Sequence, residues 1–444
     1  MAGDTSASSV TNGDELPLAS PQVHVNLNVR GMGRSATLAI NERIAELRSQ
    51  GRDVVRLGLG QSPFPVPECM VRSLREHAAE KDYLPVKGLP VLRAAIVDYY
   101  RRTENLAYRP ENVLVGPGTK ELMFLVQLVY YGDLVIPAPS WVSYAPQARI
   151  IGRHLHWLPT DIESGMGVTP EALEWVCRHD PERPRLLILN YPGNPTGTAY
   201  SEQQLRQIAE VARQYRVLVL ADEIYSGLRF DGRHVSIARF YPEGTILSNG
   251  LSKWAGAGGW RLGAFAFPTT LTWLCEAMSA VASETFTSTA APIQYAAVRA
   301  FEPSGEIEDY LRRAQTVLRG LLTYSYHRLH AAGAELTQPR GGFYVFPKFA
   351  APRSRLAERG IATSDELCER VLDELGIAML PGHSFGRPEK ELSVRISCVD
   401  FDGRAAMDAA ADLAPDEVPG EDFLDKYCNP TFDAINRLCD WATA

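Results

Sequence analysis

One lysine in this chain stands in a stretch built almost wholly of small residues. Lys253 lies in S-N-G-L-S-K-W-A-G-A-G-G-W-R-L-G (248–263), behind a strand-like T-I-L-S and ahead of four glycines. Glycine bares the backbone, so a flat ligand has room beside the ammonium. An amine that is partly desolvated near other positive charge gives up its proton more readily and can condense with an aldehyde to form a Schiff base. Arg261, eight positions on, offers a fixed fork of donors suited to phosphate. An aldehyde that also carries phosphate describes pyridoxal 5'-phosphate. Lysines in glycine-rich loops are also commonly solvated and idle, and this stretch by itself leaves that reading open.

Other residues could serve the same chemistry. Gly118, Thr119 and Lys120 lie where an apolar strand (112–115) meets an apolar helix (121–129), and backbone N–H groups at a helix N-terminus form an anion site without side-chain help. Many strand–helix turns carry glycine and bind nothing. Trp141, in a proline loop after the strand at 134, could stack on a cationic ring or could simply fill a core. Asn194 sits between glycine and proline in N-Y-P-G-N-P-T-G (190–197), where its amide is not spent on helix formation. Asp222 ends the apolar run V-L-V-L-A-D (217–222), three residues before Tyr225; such an acid faces a ligand in the crevice outside a sheet or else caps the next helix. Arg395 interrupts the alternating L-S-V-R-I-S (392–397) and requires a carboxylate from the protein or from a ligand.

The elements that must position these groups follow from periodicity. Apolar spacing and the stop at Gly51 predict a helix over 35–50, followed by a short strand over 54–60 and a proline-rich loop over 61–67. Ser201 and Gln204 form a capping box ahead of a helix over 202–215. Repeated strand–turn–helix units from about 110 to 268 predict a mostly parallel, right-handed sheet with its ligand at the strand C-termini. A long helix over 306–329, a strand near G-G-F-Y (341–344) and a closing helix over 432–441 complete the chain.

Taken together, S-K-x5-G-x-R-x-G at 252–263, N-x-P-x-N-P-T-G at 190–197, the aspartate–tyrosine pair 222/225, P-x-W-x-x-Y at 139–144 and V-R-I-S at 394–397 resemble the signatures of the class I/II, aspartate aminotransferase-like enzymes. The resemblance spans roughly 30–400. It implies an α/β chain of pyridoxal-phosphate fold type I: a large domain with a mostly parallel sheet in an α/β/α sandwich, plus a smaller α+β domain. The expected division is a disordered tail (1–22), an arm and part of the small domain (23–60), the large cofactor domain (61–300) and the small C-terminal domain (301–444). It implies an aminotransferase that moves an amino group between an α-amino acid and a 2-keto acid by a ping-pong route. Lys253 would carry the cofactor and move the Cα proton. Asp222 would pair with the ring nitrogen, Asn194 and Tyr225 would hold the ring oxygen, and Trp141 would stack on the ring. Gly118, Thr119, Lys120, Ser252 and Arg261 would hold the phosphate. Gly60 and Arg395, with Asn194, would meet the substrate, Arg395 clamping its α-carboxylate. Tyr83 would reach the partner's phosphate across a homodimer with shared active sites, and the Ser/Thr stretch 283–289 would assist there. Elimination, replacement, cyclisation or oxidation on the same fold would need the same cofactor contacts and stays open as an alternative. An acidic, proline-bearing insert at 412–430 departs from the pattern.

Bulk composition excludes other classes. The 444 residues carry a net charge of −8, which argues against a nucleic-acid surface. Seven scattered cysteines, odd in number and never in a C-x-x-C pair, indicate neither a disulfide framework nor a zinc site. No apolar run is long enough to span a bilayer and no signal peptide opens the chain, so no membrane partner and a cytoplasmic location are expected.

Overall fold

The computed structural model describes residues 24–444 apart from Arg34 and Pro415; the expected tail over 1–22 lies outside them. The strands, in chain order, are β1 (Val55–Arg56), β2 (Val113–Gly116), β3 (Asp133–Ala138), β4 (Leu155–Pro159), β5 (Arg185–Asn190), β6 (Leu218–Asp222), β7 (Thr245–Gly250), β8 (Gly263–Ala266), β9 (Tyr344–Val345), β10 (Ile377–Ala378), β11 (Leu380–Pro381) and β12 (Val394–Ser397).

Seven of them form one sheet in the order β2-β8-β7-β6-β5-β3-β4. The run from β7 to β4 is parallel, and β8 lies antiparallel between β7 and β2. Nearly every residue of β2, β3, β5, β6, β7 and β8 is buried, as expected where helices cover both faces. The two-residue side-chain repeat divides them between two cores. Val115, Val135, Leu187, Leu189, Val219 and Leu247 pack on one side, and Leu114, Ile136, Leu186, Ile188, Leu220 and Phe265 on the other. Truncating a fully buried ring such as Phe265 to Ala would cost about 3–5 kcal/mol.

The helices begin where local chemistry permits. Ser35 caps Ala36–Ser49 by accepting from the Leu38 amide. Ser201 and Gln204 form the reciprocal box that opens Glu202–Gln214. A second box, Thr363 with Glu366, opens Ser364–Leu375.

The remaining strands make smaller sheets from sequence-distant pieces: β11-β12-β9, and β1 beside β10. One expectation is corrected, and two further stretches take a definite form. The strand over 54–60 is only Val55–Arg56, because it finds a two-residue partner, Ile377–Ala378. The stretch at 283–289 begins as helix, since Thr272–Thr285 runs into it and ends at Thr285. The acidic insert contains a helix, Glu421–Cys428, whose Leu424 and Cys428 are buried against Gly305–Ala331, Gly403–Ala409 and Thr431–Thr443. Among the described residues no helix is long and apolar enough to cross a membrane.

Candidate active site

β5, β6 and β7 run side by side and point their C-terminal ends the same way, so Asn190, Asp222 and Ser248 emerge along one rim of the sheet. That rim is where an open α/β sheet leaves room for a ligand. A cavity of about 550 Å³ opens there, lined by Gly60, Thr119, Lys120, Trp141, Asn194, Asp222, Tyr225, Ser252, Lys253, Arg261 and Arg395 among others. Sequence separations of more than three hundred positions are thereby closed.

Asp222 is buried at the floor. Tyr144 donates its phenolic hydrogen to Oδ2 at 2.5 Å, and Ser248 donates to Oδ1 at 3.3 Å. Burial pushes the carboxyl up to about 6 against the pull of those hydrogen bonds and of the Lys253 charge. The same burial, with Asp222 alongside, drives the Tyr144 hydroxyl well above its ordinary value, so it stays a donor.

Lys253 projects from the loop after β7, and its ammonium donates to the Gly60 carbonyl at 2.5 Å. Burial pushes its pKa down to about 8, helped by Arg395, Arg261 and Lys120 and opposed by Asp222. An amine so placed is close to the neutral nucleophile that Schiff-base chemistry requires.

Arg395, on β12, is almost fully buried. Its Nη2 donates to the Gly58 carbonyl at 2.6 Å and its Nη1 to Asn194 Oδ1 at 3.1 Å. The guanidinium lies 4.7 Å from the Tyr344 ring centroid and 5.1 Å from that of Phe385. Its Nε has no hydrogen-bond partner. A buried cation with an orphaned donor and no acidic partner among the described residues awaits an anion from outside.

The residues expected to hold phosphate meet at the start of Thr119–Val129. Gly118 precedes the helix at φ +91° and ψ 152°, a conformation essentially reserved for glycine. A Cβ there would strike the Arg261 guanidinium, and a Cβ at Gly263 would strike the Thr119 amide. Arg261 donates to the Gly258 and Pro117 carbonyls, at 2.9 and 3.4 Å. The Lys120 ammonium lies 5.1 Å from the Trp141 ring centroid, and burial together with Arg261 lowers its pKa.

Tyr83 is 90% exposed and, like the Ser/Thr stretch 283–289, is absent from the cavity lining. Sequence reasoning did not assign functional roles to several side chains that complete the site. Tyr344 shares a 2.9 Å hydrogen bond with Tyr225. Asn190 donates to the Asp222 carbonyl and accepts from the Asn194 amide. Tyr144, Asn190, Ser248 and Tyr344 all lie inside the stretches P-x-W-x-x-Y, N-x-P-x-N-P-T-G, S-N-G-L-S-K and G-G-F-Y, so local signal places them near the site, but nothing local gives their partners.

The fold and this rim of charged and aromatic groups define an α/β enzyme whose cavity gathers a lysine of depressed pKa, a buried aspartate and a buried arginine. The family model for aminotransferase class I and II matches residues 52–408, and the chain belongs to that family. It is 33% identical over 381 residues to an aspartate aminotransferase of Geobacillus stearothermophilus, covering 83% of this chain and 93% of the relative. It is 35% identical over 365 residues to a probable aspartate/prephenate aminotransferase of Thermus aquaticus, covering 80% and 91%. Among solved structures, aspartate aminotransferase from Thermus thermophilus with maleate superposes with a TM-score of 0.79 at 28% identity, over 94% of this chain and 100% of that one. The protein is accordingly an aminotransferase of fold type I, transferring an amino group between an amino acid and a keto acid. The similar proteins named here are all aminotransferases, which favours transfer over elimination, replacement, cyclisation or oxidation.

Proposed function

We propose that the protein is a pyridoxal 5'-phosphate-dependent aminotransferase of the cytoplasm, acting on aspartate or a similar dicarboxylic amino acid by a ping-pong route in a homodimer with shared sites. The observation that carries this reading is the convergence of a depressed lysine, a buried aspartate and an unpaired buried arginine in one cavity of about 550 Å³, a size suited to a small cofactor and its substrate.

The residues present fit the cofactor. Lys253 would hold its aldehyde, Asp222 its ring nitrogen, Asn194 and Tyr225 its ring oxygen, and Trp141 its face. Gly118, Thr119, Lys120, Ser252 and Arg261 would hold its phosphate. When bound, pyridoxal phosphate supplies an electron-withdrawing ring that takes up the electron pair left at the substrate Cα. Lys253 Nζ, once free, accepts the proton from Cα and returns it on the other side of the transfer. Arg395 binds the substrate α-carboxylate and fixes the Cα–H bond toward that amine, beside the Gly60 backbone.

Relatives named for aspartate support a substrate with a second carboxylate. Lys120 lines the same cavity as Arg395, forms no ion pair among the described residues, and reaches over Trp141; with its backbone N–H at the helix N-terminus serving the phosphate, its ammonium is free for that second group. The exposed ring of Tyr83 supports a role at a partner's site. Seven buried, unpaired cysteines support a reducing compartment.

The test is to load the purified chain with pyridoxal phosphate, reduce with borohydride and map the labelled peptide, then screen amino acids for conversion of the bound cofactor to its amine form. Label on Lys253 and rapid conversion by aspartate are expected. Label on another lysine, or a cofactor that no amino acid converts, would refute the reading.

A further inference from the structure

Away from the cavity, at the opposite end of the sheet, the edge strand β4 carries a second constellation. β4 pairs in parallel with β3, Leu134 beside Leu155, and the Leu134 amide donates to the His154 carbonyl at 2.9 Å. The two-residue side-chain repeat then turns Asp133, His154 and His156 to one face. Their ligand atoms converge. His154 Nδ1 lies 3.1 Å from His156 Nε2, His156 Nε2 lies 3.1 Å from Asp133 Oδ2, and His154 Nδ1 lies 3.5 Å from that same oxygen. Two ligand atoms each held at the usual zinc distance of about 2.0–2.1 Å, at a tetrahedral angle, stand about 3.3–3.4 Å apart. The triangle therefore has close to the edge lengths of three tetrahedral corners.

Among the described residues no other trio of His, Cys, Asp or Glu brings its ligand atoms so close together. Asp133 is buried, His156 is 30% exposed and His154 62% exposed in their side chains, so a fourth position faces water. Arg183 grips the Asp133 carboxylate, Nη2 to Oδ1 at 2.7 Å and Nε to Oδ2 at 3.1 Å. That grip fixes the carboxylate as an outer partner does at a metal centre. Its positive charge also weakens the attraction for hard cations, which bind oxygen alone, and leaves the two imidazoles to select a nitrogen-seeking ion.

We propose that Asp133, His154 and His156 form a site for a zinc-class divalent cation, held by two imidazole nitrogens and one carboxylate oxygen with a fourth position open to water. Asp133 begins β3 and the cofactor cavity lies past the strand C-termini, so the ion pins the sheet's edge strand without touching the transfer chemistry.

Zinc chloride added to the cofactor-loaded enzyme in equilibrium dialysis should bind at one ion per chain. The double variant His154→Ala/His156→Ala should bind it at least 100-fold more weakly. Zinc should raise the melting temperature of the parent protein and not that of the variant, and the variant should keep its cofactor absorbance and its transamination rate. The exposed His154→Ala alone, whose fold is not at risk, should lose at least about tenfold in affinity. Zinc bound equally well by the variants, or no stoichiometric zinc on the parent enzyme, overturns the proposal.

Discussion

Arg395 donates through Nη1 to Asn194 Oδ1 at 3.1 Å, across 201 positions of sequence. This hydrogen bond fixes the orientation of the asparagine amide: with Oδ1 engaged by the arginine, Nδ2 is left to donate to a ligand. The residue expected to clamp substrate thus orients a residue expected to hold the cofactor. Arg395→Lys should raise KM for the amino acid by about 10- to 100-fold, the worth of one charge-assisted hydrogen bond, with a smaller fall in kcat. The losses for Arg395→Lys and Asn194→Ala should not add in the double variant, because each breaks the same contact. Steady-state kinetics on the four proteins decides it; full additivity would mean that the contact does not couple the two roles.

Lys253 should set the pH dependence of cofactor capture. Its pKa is pushed down to about 8, so the neutral amine fraction rises through pH 7–8 and levels above about 9. The rate at which cofactor-free protein takes up pyridoxal phosphate should follow that curve in stopped-flow absorbance. Because the folded-state pKa is depressed, this lysine's contribution to stability is greatest above the unfolded value near 10.5 and is lost as pH falls through 8. Cofactor-free Lys253→Met should therefore be the more stable protein at pH 7, with the difference shrinking toward pH 10.5 in denaturant unfolding. Its turnover should fall by about 10²- to 10⁴-fold, since the residue proposed to move the proton is gone.

Asp222 has the complementary sign. Its carboxyl is pushed up from 3.8 to about 6 by burial. A raised pKa contributes stability that is present below about pH 4 and lost as pH rises through 6, where a charge must be kept in a buried place. Two units correspond to roughly 3 kcal/mol. In cofactor-free protein, Asp222→Asn should gain up to about that much on the parent between pH 4 and pH 8, since Asn can still accept from Tyr144 without carrying charge. With cofactor present the same change should cost about 10²- to 10⁴-fold in kcat, as for removal of a positioned proton-holding group. Equal pH profiles for the two cofactor-free proteins would show that the carboxylate is not strained by burial.

Much of this site was visible in the sequence because its residues end strands or open helices, and those places announce themselves locally. Asp222 closes an apolar run, Gly118 precedes a helix, and Lys253 sits among glycines, so period, turn chemistry and composition each pointed to one of them. The residues left out act through partners far along the chain. Tyr144 meets Asp222 across 78 positions and Tyr344 meets Tyr225 across 119, and no local pattern encodes such a meeting. β1 is shorter than its apolar run predicts for the same reason: its pairing length is decided by Ile377–Ala378. The helix at Glu421–Cys428 escaped because its acidic first turn, favourable at a helix N-terminus, resembles the surrounding acidic loop.

Gly118 should be hard to replace, both for its backbone angles and for its neighbour Arg261. Its backbone angles cost an alanine about 1–3 kcal/mol, and the new Cβ would displace the Arg261 guanidinium from its place beside the helix N-terminus. Gly118→Ala should fold with a lowered melting temperature and release pyridoxal phosphate readily, its dissociation constant raised by about 10- to 100-fold. Gly165→Ala tests the backbone cost alone, since Gly165 also has positive φ, at +69°, but no neighbour within 4 Å of an added Cβ. Cofactor retention after dialysis separates the two effects: Gly165→Ala should keep its cofactor, and a Gly118→Ala protein that kept it equally well would remove the Arg261 cradle from the site.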